Sequence, residues 1–274
     1  MMKYYNINTP RPIIPRKRMI LVKLGGSVIT DKGRYRTFDR EVTARLAEEI
    51  AMARRDVVLV HGAGSFGHML AKEHRLHLGV TDGSQLLGAS RVMNDVRELD
   101  LEVCRCLSDN GLAVVPIPPA SCATMRDGQL EHVDLSIFHR YMDRGMVPVT
   151  YGDVAWDGVK GLSICSGDQM MMALAREFRP EKVIFVTDVD GVFTADPTQD
   201  PLAKLIPQVD AATLDALPRT ERNVDVTGSI FAKIRYMIDM AGTAGECLVL
   251  NGREPGRLLS ALRGEEVVAS RVVG

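Results

Sequence analysis

The chain has 274 residues, 46% hydrophobic and 25% charged, with 34 basic and 35 acidic side chains and a formal net charge of −1. That length suits one large α/β domain with a full core, and the even charge argues against nucleic acid as the main partner, which would call for a basic excess. No stretch reaches the ~18 apolar residues that a membrane span needs. Residues 1–18 are rich in Pro and Arg and lack the apolar segment of a secretory signal. The expectation is a cytoplasmic protein with an N-terminal tail over residues 1–18 and one domain over residues 19–274. Five cysteines, at 104, 106, 122, 165 and 247, have neither C-x-x-C nor zinc-ligand spacing and read as reduced.

Met19 to Leu24 is a short apolar run stopped by Gly25-Gly26, the pattern of a buried strand. A helix is predicted from about Asp39 to Arg54, with Val42, Leu46, Glu49 and Ile50 on one stripe. Asp56 to Val60 is the second strand. Val92, Val96, Leu99, Val103 and Leu107 recur at helical spacing, and Gly111 closes that helix. Leu112–Ile117 and Met146–Thr150 read as strands, with a lid or hairpin around residues 120 to 165. A helix over Asp168–Phe178, a strand over Lys182–Thr187, a helix over Phe231–Ala241 and a strand over Glu246–Leu250 complete the chain. Strands alternating with helices predict a three-layer αβα sandwich with a mostly parallel central sheet. Ligands of such sheets bind beyond the carboxyl ends of the strands.

Four glycine- or carboxylate-bearing segments follow strands: Gly25-Gly26-Ser27, Gly62 to His68, Tyr151-Gly152-Asp153 and Asp188 to Gly191. In Lys23-Leu24-Gly25-Gly26-Ser27 the glycines let backbone N–H groups approach an anion. The same residues also suit a plain turn, and the lysine precedes the glycines, the reverse of a Walker A loop. Lys32 follows closely enough to reach the same anion. Residues 62 to 67 of His61-Gly62-Ala63-Gly64-Ser65-Phe66-Gly67-His68 spell G-x-G-x-x-G, the dinucleotide fingerprint. A nicotinamide-dependent oxidoreductase is therefore the natural rival. It needs an acid about 20 residues on at the end of another strand, and Asp82 has that spacing without an apolar strand before it. What survives is a glycine cradle for an anion at a helix N-terminus, with His68 beside it.

Ser166-Gly167-Asp168 opens a helix, where either Ser166 or Asp168 suits an N-cap and Asp168 equally suits orienting lysines. Thr187-Asp188-Val189-Asp190-Gly191 offers two carboxylates, for Mg²⁺ or for a nucleotide. Asp225-Val226-Thr227-Gly228 precedes a helix carrying Lys233.

In order along the chain, these segments resemble the amino acid kinase family, and the likeness runs from Met19 to the C-terminus. Within it, Gly25-Gly26-Ser27-Val28-Ile29-Thr30-Asp31-Lys32, Ser65-Phe66-Gly67-His68 and Val149-Thr150-Tyr151-Gly152-Asp153-Val154 are most similar to the archaeal-type isopentenyl phosphate kinases. The resemblance implies transfer of the γ-phosphoryl group of ATP, with Mg²⁺ carried by the nucleotide, to isopentenyl phosphate in isoprenoid biosynthesis (the alternative mevalonate route). Other acceptors in the family are fosfomycin, small carboxylates and nucleoside monophosphates. It implies one domain with an acceptor-binding N-terminal part and an ATP-binding C-terminal part, in which Lys23, Gly25, Gly26, Ser27, Gly64, Asp188, Gly191, Gly228 and Lys233 serve ATP. Gly62, Ala63, Gly67, His68 and Gly152 would serve the acceptor in an N-terminal part. Lys23, Lys32, His68 and Asp168 would be catalytic, with no metal site of the protein's own, and the protein would be a homodimer. Ala63 and Ser229 depart from the family's glycines at those turns, both by small residues.

Overall fold

The computed structural model describes residues 19–80, 82–217 and 230–274; the tail over residues 1–18, Gly228 and Ser229 lie outside them. The elements in chain order are β1 (Ile20–Leu24), α1 (Gly26–Ile29), α2 (Arg40–Ala53), β2 (Val57–His61) and α3 (Gly64–Glu73), then a single 3-10 turn at Leu76–Leu78. Next come α4 (Gly83–Asp109), β3 (Val114–Pro116), α5 (Pro119–Cys122), β4 (Ala123–Arg126), β5 (Gln129–Val133) and α6 (Ser136–Met142). They are followed by β6 (Val147–Tyr151), β7 (Asp153–Asp157), β8 (Gly161–Cys165), α7 (Gly167–Phe178) and β9 (Lys182–Thr187). The last are β10 (Gln208–Val209), α8 (Ala211–Ala216), α9 (Ile230–Ala241), β11 (Glu246–Asn251), α10 (Arg257–Arg263) and β12 (Ser270–Val272).

The main sheet has the order β10-β12-β11-β9-β1-β2-β6-β3. From β3 to β11 every neighbouring pair is parallel, whereas β12 pairs antiparallel with β11 and β10 runs parallel to β12. Strand alternation sorts the two helical layers. Ile20, Val22 and Leu24 of β1 join one core with Leu46 and Ile50 of α2, Leu99 and Val103 of α4, and Leu258 and Leu262 of α10. Leu21, on the other face, joins Met171 and Leu174 of α7 and Ile234 and Met237 of α9. The αβα sandwich is as expected. Helix α4 starts earlier than its apolar stripe suggests, because Asp82 caps it by accepting from the N–H groups of Ser84 (2.8 Å) and Gln85 (3.0 Å). Asp82, the acid that a dinucleotide site would need, is thus a helix cap with a 3-10 turn rather than a strand before it.

The lid region is a second sheet of four strands, in the order β5-β4-β7-β8. Two hairpin turns, at residues 127–128 and 158–160, converge on the buried carboxylate of Asp157. It accepts from the N–H groups of Asp127 (3.0 Å), Gly128 (2.7 Å), Val159 (2.8 Å) and Lys160 (2.9 Å) and from the Ser163 hydroxyl (2.8 Å). Burial opposes its ionisation, but the bonds from Lys160, Gly128, Val159 and Ser163 outweigh that, holding its carboxyl well below the usual range. Its contribution to stability is therefore complete above the unfolded value of about 3.9 and is lost as pH falls toward the lower folded value. Asp157→Asn, which turns a donor toward these N–H groups, should cost about 3 kcal/mol in urea unfolding at pH 7. It should also flatten the acid limb of the stability–pH curve below about pH 4. A variant as stable as wild type would contradict this role.

Candidate active site

The carboxyl ends of β1 and β2 lie side by side, with Leu24 opposite His61, so the glycine turns that follow them collide. A Cβ on Gly26 would lie 2.5 Å from the nitrogen of Gly64, and one on Gly62 would lie 2.6 Å from the nitrogen of Gly26. Gly64 has a left-handed φ of +50°, and a Cβ there would meet the Thr30 hydroxyl at 2.2 Å. These glycines are required because two backbones touch. Thr30 ties the turns together: its buried hydroxyl donates to the Gly26 carbonyl (2.6 Å) and accepts from the Ser65 N–H (3.1 Å).

The turns' donors divide cleanly. Gly25 N–H goes to the Val186 carbonyl, Val28 to Gly25, Gly62 to Leu24, and Phe66 and Gly67 to Ala63. Among the described residues, the N–H groups of Gly26, Ser27, Ala63 and Gly64 have no acceptor. Two unsatisfied donors on each turn, at the contact of the two, form a place for two anions side by side. Of the donors expected between Gly62 and Gly67, only two are available. Gly67 instead makes room for packing, since a Cβ there would meet Ala63 Cβ at 2.5 Å and Val96 Cγ1 at 3.2 Å.

Strand parity places Lys23 on the α7 face, where its ammonium pairs with the Asp168 carboxylate and lies 5.9 Å from the Phe185 ring centroid. Ser166, not Asp168, caps α7: its hydroxyl accepts from Gln169 N–H and the Gln169 side chain accepts from Ser166 N–H (2.8 Å), a capping box. Asp168, buried in the first turn, is left to the lysine. Gln169 also donates to the Gly128 carbonyl (3.0 Å), which joins the four-stranded sheet to this helix end.

Asp188, after β9, accepts from the Ser27 hydroxyl (2.7 Å) and from Lys32 Nζ (3.3 Å). Burial raises its pKa, but the Ser27 bond and the Lys32 charge bring it below the usual value. Lys32 is 67% exposed and so has freedom to move. Asp190 faces elsewhere, bonded to Arg257 (2.5 Å) and Asn251 (3.1 Å). Gly191 packs against β12, where a Cβ would meet Ser270 N at 2.8 Å. The two carboxylates therefore do not share one ion, and among the described residues no group of three His, Cys, Asp or Glu side chains is placed to hold a metal.

On the β2 side, His68 is half-buried on the first turn of α3. Gly152 closes in from β6, its N–H bonded to the His61 carbonyl (3.2 Å), and a Cβ there would lie 3.9 Å from Ala63 Cβ. Beside it Asp153 is buried 3.8 Å from Arg97, and burial pushes its carboxyl up to about 6, the Arg97 charge and backbone donors only partly offsetting that. On the other side Lys233 lies in α9, which shares a core with α7. Tyr236, one turn further on, is shifted upward by burial and then by the charge of Asp168. Thr30 and the His61–Asp100 contact were not singled out from sequence, since neither residue type signals a site without its partner.

The profile of the amino acid kinase family matches residues 18–251. The isopentenyl phosphate kinase of Methanothermobacter thermautotrophicus is 38% identical over 93% of this chain and 99% of its own. That of Thermoplasma acidophilum is 35% identical over 88% and 94%. A crystal structure of an isopentenyl phosphate kinase superposes with a TM-score of 0.82 at 35% identity, covering 93% of this chain and all of its own. The chain belongs to the amino acid kinase family.

Proposed function

We propose that this protein is an ATP-dependent isopentenyl phosphate kinase, forming isopentenyl diphosphate and ADP. The observation that carries the reading is the contact of two glycine turns, each with two N–H groups left for an anion, in a chain so similar to isopentenyl phosphate kinases. An acceptor that is already a phosphate needs two anion cradles in touch. The alternative acceptors are fosfomycin, a small carboxylate or a nucleoside monophosphate.

In this mechanism the β- and γ-phosphates of ATP lie against Gly25, Gly26 and Ser27, with Lys23, Lys233 and the Gly228 turn around them. Asp188 and Gly191 stand at the nucleotide's edge. The acceptor phosphate takes the Ala63 N–H and His68, between Gly62, Gly67 and Gly152, while Gly64, abutting Gly26, serves the group in flight. An acceptor oxygen attacks the γ-phosphorus as the bond to the ADP oxygen breaks. A phosphate monoester has a second pKa of about 6 and is largely dianionic at pH 7, so no general base is required. The protein's task is alignment and relief of repulsion in a loose transition state. Lys32 can swing from Asp188 to the transferring group, and Asp168 holds Lys23 in place. Mg²⁺ carried by the nucleotide would supply further neutralisation of its phosphates.

The acceptor is thus held by the N-terminal half, and the nucleotide by the C-terminal half together with the turn after β1, within one domain. No helix among the described residues is long and apolar enough to cross a membrane, and a cytoplasmic homodimer is part of the proposal. Sedimentation at a monomer's mass would remove the dimer.

ADP release with isopentenyl phosphate, dimethylallyl phosphate, fosfomycin, acetylglutamate and UMP tests the acceptor. Turnover confined to a carboxylate, fosfomycin or UMP would overturn the reading. Asp168→Asn should lower kcat at least about tenfold, whereas Ser166→Ala should cost about 1 kcal/mol of stability and spare kcat. Equal turnover in folded Asp168→Asn would deny the carboxylate its role. His68→Ala should lose about 10²-fold in kcat/KM for isopentenyl phosphate with the ATP KM little changed, and His68→Gln should recover part. An equal loss at the ATP site would place His68 elsewhere.

A further inference from the structure

His61 ends β2 directly before the acceptor turn and is almost completely buried. Its ring stacks on Tyr151, with centroids 5.1 Å apart at 22°. Its Nε2 lies 3.2 Å from a carboxylate oxygen of Asp100, which is buried on α4. Its Nδ1 lies 3.1 Å from the carbonyl oxygen of Gly62. The Gly62 carbonyl can only accept, so Nδ1 is the donor of that bond. Turning the ring over would set carbons against the same two oxygens, so the contact with Asp100 fixes which nitrogen faces Gly62.

The second bond matters for the site. The Gly62 carbonyl and the Ala63 N–H belong to one peptide group, and no peptide bond in the described chain is cis. In a trans peptide the C=O and N–H point in opposite directions. A donor that draws the Gly62 oxygen toward the core therefore turns the Ala63 N–H away from it. That N–H is one of the four without an acceptor.

We infer that His61, held by its contact with Asp100, is a positioning residue that fixes the Gly62–Ala63 peptide so that the Ala63 N–H faces the acceptor phosphate. The inference rests on the reading of Ala63 as part of the acceptor site. His61 touches no reacting atom. It acts by holding one peptide plane, and its hydrogen bond to the carbonyl polarises that peptide and strengthens the N–H as a donor. Cys104, whose thiol lies 3.7 Å from the same Asp100 oxygen, adds a weak second donor to the carboxylate.

Two measurements test this. In protein labelled with ¹⁵N-histidine, whose six histidines are assigned with the aid of His61→Phe, Nδ1 of His61 should resonate as the proton-bearing nitrogen. A pyridine-type Nδ1 in His61 would overturn the inference. In steady-state kinetics, Asp100→Asn keeps the shape but removes the carboxylate that holds the ring, and His61→Phe keeps the stacking but removes both ring nitrogens. Each should raise the KM for isopentenyl phosphate about tenfold or more while the ATP KM stays within about twofold. If His61→Phe fails to fold, Asp100→Asn carries the kinetic arm. A rise in acceptor KM for His68→Ala, with none for folded Asp100→Asn and His61→Phe, would sink the positioning role and leave the acceptor site standing. No change in acceptor KM for any of the three would remove the acceptor site, and the inference with it.

Discussion

The backbone of the first glycine turn touches the backbone of the second. Gly26 lies so close to Gly62 and Gly64 that no Cβ fits between them. The sheet order causes this contact: β1 and β2 are parallel neighbours in register, so their carboxyl ends release the chain at the same height. Transfer between two bound groups needs reacting atoms about 3–3.5 Å apart, a spacing at which two phosphates repel strongly. Cradles built on touching backbones are one way to meet that distance. Thr30, bonded to both turns, keeps them from sliding apart.

Charge around the contact is held in readiness. Lys23 is paired with Asp168 and Lys32 with Asp188, so each of these cations has a carboxylate partner before any ligand arrives. The two pairs differ in kind. Lys23 is only 13% exposed and is fixed by strand parity and by the first turn of α7, a preorganised charge. Lys32 is largely exposed, and an exposed pair of this sort contributes little to stability, which leaves the lysine able to change partners. Capping of α7 by Ser166 and Gln169 frees Asp168 from any duty at the helix end. Gln169 further links that helix to the four-stranded sheet that Asp157 organises.

Much of this was legible in the sequence. The strands from Met19, Asp56 and Lys182 are unbroken apolar runs, and such runs read reliably because both faces are buried. Lys23, Ser27, Asp168 and Asp188 were legible as chemistry because they stand at strand ends or a helix start, and the structure brings them together. The four-stranded sheet was visible only as a lid, because its strands are short and β5 is mostly exposed, which erases the alternation. Helix α10 and strand β12 went unread for the same reason of length. The individual glycines misled most. Sequence cannot tell a glycine that admits an anion from one that admits a neighbouring backbone, and Gly67 and Gly191 have packing reasons for their size. Nor can it tell that Asp190 turns to Arg257 while Asp188, two residues earlier, turns to Ser27.

The central claim is that donor and acceptor phosphates lie on opposite sides of the contact between the turns. A crystal structure of the complex with isopentenyl phosphate and a non-hydrolysable ATP analogue tests it most directly. The account predicts the acceptor phosphate within hydrogen-bond distance of the Ala63 N–H and His68. It also predicts the γ-phosphate against Gly26, Ser27 and Lys23. An acceptor phosphate bound away from the Gly62–Gly64 turn, or a nucleotide bound on it, would contradict the account.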